Sequence, residues 1–251
     1  MRRSLVLTAV CAIAGSIQVA AAADMPTKAP VYAPVLYSWT GFYVGGQAGG
    51  GWFTNHVTNG LNPTDGTVNF PPGFVHNAVH GSGWLGGGYA GYNYQVNQLV
   101  VGIDGDYSWA HLTGSTSDIG PTGFTDISHE TVKWIATVTG RLGYAANNWM
   151  FFGKAGWAWA GFNGVSSTFN LAGANTNNDT NAQTRDGWTV GTGVEWGFAE
   201  HWSAKLEYDY VKFMTANYVN TAVSVSGAVT FPGRSATSNL SIVELGVAYR
   251  F

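Results

Sequence analysis

The chain has 251 residues, with 10% charged, 14% aromatic, 35 glycines and a formal net charge of −3. Soluble domains carry about 25% charged residues, and helical bundles draw on Ala, Leu, Glu and Lys; this composition favours strands and turns and excludes a bundle. The acidic balance excludes a nucleic-acid binder, which needs basic stripes.

The first 23 residues read as an export signal. Arg2 and Arg3 form a basic start, residues 5–17 an apolar stretch, and residues 20–23 four alanines before an expected cut at Asp24. Cys11, the single cysteine, lies in the apolar stretch after Val10, so the lipoprotein reading, which needs a small residue there, fails. From Asp24 onward the chain has nine Lys/Arg against 14 Asp/Glu and no cysteine. Residues 24–38, with Pro26, Pro30 and Pro34, read as a Pro-rich periplasmic linker. Residues 39–251 read as one barrel domain.

From Thr40 the sequence alternates with period two, the mark of a strand with two unlike faces. Phe42, Val44, Ala48 and Trp52 share one face of the first strand; Leu99, Val101, Ile103, Tyr107 and Trp109 share one face of the third, opposite Asp104, Asp106 and Ser108. Residues 132–144 put Val132, Trp134, Ala136, Val138, Leu142 and Tyr144 on one side and Lys133, Ile135, Thr137, Thr139 and Arg141 on the other. The same alternation sets Trp188, Val190, Val194, Trp196 and Phe198 against Glu195, and Ala204, Leu206, Tyr208 and Tyr210 against Lys205, Glu207 and Asp209. Eight strands are predicted, at 40–53, 83–95, 99–111, 129–145, 149–162, 185–198, 202–213 and 239–251. Tight turns are expected at 96–98, 146–148 and 199–201. Long segments rich in Asn, Thr, Ser, Gly and Pro, at 54–82, 112–128, 163–184 and 214–238, alternate with them. Structureless loops of that length are unusual in compact domains, but outer-membrane barrels have short periplasmic turns and long outer loops. The prediction is an all-β, eight-stranded antiparallel up-and-down transmembrane β-barrel with four long outer loops.

Charge parity then assigns the faces. Asp104, Asp106, Lys133, Arg141, Lys154, Glu195, Lys205, Glu207, Asp209, Glu244 and Arg250 oppose the aromatic and branched residues. In a membrane barrel that face lines the lumen and the aromatic face meets lipid. An eight-stranded lumen is filled by side chains, and buried ions must be paired. An ion-paired plug is therefore expected, with a narrow passive pore as the alternative. The glycine runs at 45–51 and 83–91 lack a following helix and a Lys-Ser/Thr pair, so they are not phosphate loops. Within barrel strands glycine makes room beside large aromatics. His56, His76, His80, His111 and His129 fall in or beside the first two long segments, and His can ligate haem iron, so a haem or other ligand site at the rim is the second alternative. Ser108, Asp106, His111 and His129 lack a nucleophile motif, and no enzymatic role is expected.

The stretches TGFYVGGQAGGGW, GGGYAGYNYQ, LVVGIDGDYSW and GRLGY resemble the small outer-membrane β-barrel proteins of alphaproteobacteria. These are porin-like surface antigens of rhizobia and their pathogenic relatives, distantly related to OmpA and the opacity proteins. The resemblance spans essentially the whole chain. It implies an outer-membrane barrel embedded among lipid and lipopolysaccharide, loops that serve as antigens, and a part in envelope integrity; some members are similar to haemin-binding proteins. The terminal Glu244, Gly246, Tyr249 and Phe251 resemble the last-strand signal recognised by the outer-membrane barrel assembly machinery.

Overall fold

In the computed structural model the described residues are 37–59, 75, 77–119, 125–171, 174–179, 182–218, 221–224, 227–230 and 234–251. The expected signal peptide, most of the expected linker and His76 lie outside them. The described residues form strands: β1 Gly41–Asn59, β2 Val79–Val96, β3 Leu99–Ile119, β4 Thr125–Ala146, β5 Trp149–Leu171, β6 Ala174–Asp179, β7 Gln183–Ala199, β8 Trp202–Phe213, β9 Ala216–Tyr218, β10 Thr221–Ser224, β11 Gly227–Thr230 and β12 Arg234–Arg250. The long ones β1, β2, β3, β4, β5, β7, β8 and β12 pair antiparallel in chain order, and β12 pairs back onto β1 from Tyr43↔Arg250 to Asn59↔Arg234. A sheet closed this way has no free edge, so its backbone groups need no water inside a bilayer. The short strands add to the end away from the tight turns: β6 pairs with β5, β9 with β12, and β10 with β11.

Tight turns join the long strands at one end. Asn97 and Asn147 hold φ of 55°, a left-handed conformation that Asn tolerates better than most residues. The turns also brace the next hairpin: Ala145 N donates to Gln98 O (2.7 Å), Gly197 N to Asn148 O (2.8 Å) and Arg250 N to His201 O (2.7 Å). Phe251 N closes the seam by donating to Phe42 O at 2.9 Å.

The outward face carries two aromatic levels. Phe42 and Trp52, Trp84 and Tyr94, Leu99 and Trp109, Trp134 and Tyr144, Trp149 and Trp159, and Trp188 and Phe198 are each ten positions apart on one strand. All are exposed except Trp134, which stacks on Tyr107 with ring centres 6.0 Å apart. With a rise of about 3.3 Å per residue and a tilt of about 40°, ten residues climb about 25 Å, the height of the apolar band of such barrels.

The strands outrun their expected ends. β1 continues to Asn59, β3 to Ile119 and β5 to Leu171, while β4 starts at Thr125 and β12 at Arg234. Much of what composition marked as loop is therefore sheet standing beyond the upper aromatic level. In water a paired strand needs no apolar face, and Thr and Ser suit it: Thr113 and Thr131 hydroxyls meet at 3.4 Å across β3 and β4.

The interior is also not uniformly polar. Phe53, Leu85, Leu112, Ile135, Phe162 and Leu240 belong to a buried apolar cluster inside the upper half of the barrel. Tyr37, Trp39, Val100, Met150 and Phe152 form another at the turn end. Tyr37, at the end of the expected linker, and Trp39, the first residue of the expected barrel domain, both fold into that mouth: Trp39 N donates to Gln95 Oε1 (2.9 Å), and Arg250 Nη1 donates to Trp39 O (2.7 Å).

Glycine spacing admits the inward tyrosines. A Cβ on Gly45 would stand 2.6 Å from Tyr89 Cε1 and 2.5 Å from Val247 O. Gly45→Val is expected to lower stability by about 1–3 kcal/mol, the usual cost of overpacking, read as a lower urea midpoint in detergent. An unchanged midpoint would mean that Tyr89 is free to leave its place in the lumen.

Candidate functional site

The candidate site is the middle of the lumen, where inward positions of six strands converge. β3 supplies Asp104, Asp106 and Ser108; β4 supplies Arg141; β5 Lys154; β7 Glu195; β8 Lys205, Glu207 and Asp209; β12 Glu244 and Arg250. The charged side chains among these are at most 6% exposed. Two hubs organise them. Glu195 receives Arg141 Nη2 at 2.5 Å, Arg250 Nη2 at 3.4 Å and Ser203 Oγ at 2.7 Å. Lys154 Nζ reaches Glu207 Oε1 at 2.6 Å, Asp209 Oδ2 at 3.0 Å and Asp106 Oδ2 at 3.8 Å, tying β5 to β8 and β3 across the lumen. Lys205 Nζ adds a contact to Glu207 Oε2 at 3.3 Å. Thr137 donates its hydroxyl to Asp106, and Tyr43 donates to Asp104 Oδ2 at 2.6 Å.

Aromatic faces seat the cations. The Arg141 guanidinium lies 3.6 Å from the Phe152 ring centre, Lys205 Nζ 3.8 Å from that of Tyr89, and the Arg250 guanidinium 5.0 Å from that of Tyr43. Such contacts strengthen where water is excluded. A further strand-to-strand link runs from Gln47 Nε2 to Ser108 Oγ (3.2 Å) and from Ser108 Oγ to Glu244 Oε1 (3.1 Å).

Above the apolar cluster lies a second polar layer that charge parity alone did not single out. Arg185 Nη2 donates to Glu130 Oε1 at 2.8 Å, Asn55 Nδ2 to Glu130 Oε2 at 2.7 Å, and Arg185 Nη1 to Ser238 Oγ at 2.6 Å. Arg185 has the inward parity of Glu195 on the same strand, so extending that alternation upward finds it. Glu130 is hidden from such counting by a break in β4.

The same break corrects the placement of Lys133. Between Val132 and Trp134 the β4–β5 register shifts by one residue. This bulge reverses side-chain parity: Val132 is buried in the lumen, while Lys133 is exposed on the outer surface. Lys133 therefore belongs to no lumen ion pair, and Val132 does not face lipid.

The histidines also face outward. His56, His80, His111 and His129 are exposed; His111 pairs with Trp84, while His80 and His129 each pair with Ser115 from opposite sides. His80 and His129 therefore lie on the outer face of β2 and β4, one strand to either side of Ser115. Ser108 and Asp106 lie inside the wall and His111 and His129 outside it, so these residues do not form a nucleophile–base pair.

Lys154→Met leaves Glu207, Asp209 and Asp106 without their shared cation. The expected loss is about 3–5 kcal/mol, as for one partner removed from a buried pair, measured by urea unfolding in detergent. A change below about 1 kcal/mol, the scale of a surface pair, would mean that water reaches the network.

Residues 7–251 match the outer membrane protein beta-barrel domain family. The chain is 32% identical over 261 residues to the 31 kDa outer-membrane immunogenic protein of Brucella melitensis, covering 99% of this chain and all of that one. It is 29% identical over 187 residues to the 22 kDa outer membrane protein of Rhizobium leguminosarum bv. viciae, covering 72% and 67% of the two chains. The fold is similar to that of the outer membrane protease OmpT from Escherichia coli, with a TM-score of 0.51 at 9% identity over 86% of this chain and 98% of that one. A closed sheet with lipid-facing aromatic levels and a charged, filled lumen agrees with these matches: the chain is an outer-membrane protein of a Gram-negative bacterium and belongs to the outer membrane protein beta-barrel family.

Proposed function

We propose that this barrel serves the envelope as a membrane-anchored scaffold that displays its upper strands and loops on the cell surface, without enzymatic turnover and without a wide pore. The observation that carries the reading is the extent of sheet beyond the upper aromatic level. β1 runs on past Trp52 to Asn59, and β3 past Trp109 to Ile119, far enough to lift the connections clear of the headgroups. The names of the relatives, outer-membrane immunogenic proteins, support surface display. The lumen supports anchoring rather than passage: the Lys154 and Ser108–Glu244 links cross it, and Tyr37 and Trp39 cover its turn-end mouth.

The outer surface supports two proposed partners. At the upper aromatic level Lys133 stands beside Trp134, Lys212 pairs with Trp188 and His111 pairs with Trp84, all on the outer face. That arrangement suits the phosphates of lipopolysaccharide, with the rings in the acyl region. The second partner is the barrel assembly machinery, read from the last strand. Tyr249 packs edge-on against Phe251 (5.1 Å) and Trp202 (5.3 Å), and Phe251 is 72% exposed.

In a Cys11→Ala background, Ser117→Cys, exposed on β3 beyond Trp109, is expected to react with a membrane-impermeant maleimide on intact cells, while Gln98→Cys in a short turn stays unlabelled until the cells are broken. Labelling of Gln98→Cys on intact cells would invert the proposed orientation. Deleting Phe251 is expected to reduce insertion in cells more than refolding in detergent. Equal losses in both assays would make Phe251 a packing residue only.

A further inference from the structure

Residues 37–40 lie across the turn-end mouth and are held there from three strands. Trp39 N donates to Gln95 Oε1 on β2 (2.9 Å), Gln95 N donates to Thr40 Oγ1 (2.9 Å), and Arg250 Nη1 on β12 donates to Trp39 O (2.7 Å). The Tyr37 and Trp39 ring centres are 4.6 Å apart, and the Tyr37 ring covers Gly197 of β7, where a Cβ would collide with it. The docked segment nevertheless carries two unmet groups of its own. Trp39 is fully buried and Tyr37 is 7% exposed, yet Trp39 Nε1 and Tyr37 Oη have no hydrogen-bond partner among the described residues. Both groups can bond to water outside the mouth, so their burial opposes the apolar gain of docking.

The layer just inside is in the same condition. Asn93 is the next inward residue of β2 beyond Gln95, and Thr139 is the next of β4 beyond Arg141, directly opposed to Asp104 across β3 and β4. Asn93, Thr139 and Asp104 are at most 3% exposed. Both amide atoms of Asn93, the Thr139 hydroxyl and Asp104 Oδ1 have no partner among the described residues. Buried polar groups without partners are costly. Water entering from the turn end would serve all of them.

We propose that residues 37–40 form a hinged lid that opens and closes over the turn-end mouth and controls the entry of water and small polar solutes to the lower lumen, while the barrel wall stays intact. Closure buries two aromatic rings and makes the anchoring hydrogen bonds; opening hydrates the unmet groups of the lid and of the layer behind it. A lid needs one or a few residues that absorb a change of backbone angles. Gly41, which follows the lid and begins β1, holds φ of 135°, a conformation that glycine adopts freely. The contacts of Lys154 with Glu207, Asp209 and Asp106 bridge the lumen with the lid in either position, so the movement admits solvent without making a through pore.

The test uses the full chain in a Cys11→Ala background, refolded in detergent, with Thr139→Cys as its single thiol. A second chain carries Ala158→Cys instead, fully buried in the upper apolar cluster. Labelling by a small water-soluble methanethiosulfonate is followed by mass. With the lid intact, Thr139→Cys is expected to react at least tenfold faster than Ala158→Cys. Tyr37→Gly combined with Trp39→Gly is expected to speed the Thr139→Cys reaction at least tenfold more and to leave Ala158→Cys unchanged. Gly197→Leu, which blocks the seat of Tyr37 from the barrel side, is expected to do the same, and it stands in should the double variant fail to refold. Equal rates at the two positions with the lid intact would overturn the proposal, because the mouth would then open only when the whole barrel does. A Thr139→Cys rate untouched by the lid variants, or an equal acceleration at Ala158→Cys, would also overturn it, making residues 37–40 a fixed plug.

Discussion

The structure depends on one constraint: a sheet in a bilayer must satisfy its own backbone and enclose its own charges. The hydrocarbon interior offers no hydrogen bonds, so β12 has to return to β1, and the seam from Tyr43↔Arg250 to Asn59↔Arg234 does this without a break in register. Closure then fixes the rest. Once the sheet is a tube, alternate side chains must point into a space too narrow for bulk water. The acidic and basic residues there have one another, the aromatic faces and a few hydroxyls as partners. Lys154 is the residue through which these demands meet, since it reaches carboxylates on β3 and β8 from β5.

The lumen answers the cost of burying charge by layering. An apolar seal of Tyr37, Trp39, Met150 and Phe152 closes the turn end. The ionic layer follows, then the apolar cluster around Phe53, Leu112 and Phe162, then the Glu130–Arg185 pair with Asn55 and Ser238. Each ionic layer is thus bounded by apolar packing that excludes water and strengthens the pairs inside it. The Arg185 guanidinium, 4.0 Å from the Phe162 ring centre, links the upper pair to the apolar cluster beneath. Such a lumen behaves as a protein core, which is why scaffold and anchor describe it better than channel.

Period two in β3 was legible because nothing interrupts it from Leu99 to Trp109. The turns at Asn97 and Asn147 were legible because tight turns between alternating runs call on Asn. Three features escaped for physical reasons. Strand ends beyond Trp52 and Trp109 meet water rather than lipid on their outer face, so Thr and Ser there look like loop although their backbones pair. The bulge at Lys133 changes parity without any glycine or proline to mark it, so a count carried through it assigns Val132, Lys133 and Glu130 to unknown or wrong faces. Tyr37 sits in a stretch whose prolines signal an extended chain, and only the tertiary fold reveals that the stretch ends inside the barrel, beside Trp39.

The central claim is that one face of every stave is sealed in a dry lumen and the other lies in lipid. Spin labels placed singly from Val100 to Ser108, read by collision with oxygen and with a water-soluble nickel chelate in reconstituted bilayers, test it most directly. The account predicts oxygen access at Val101, Ile103, Gly105 and Tyr107, and little access of either reagent at Val100, Gly102, Asp104 and Asp106. Ready access of the nickel chelate at Asp104 and Asp106 would contradict it, because the charges would then line open water rather than hold the barrel shut.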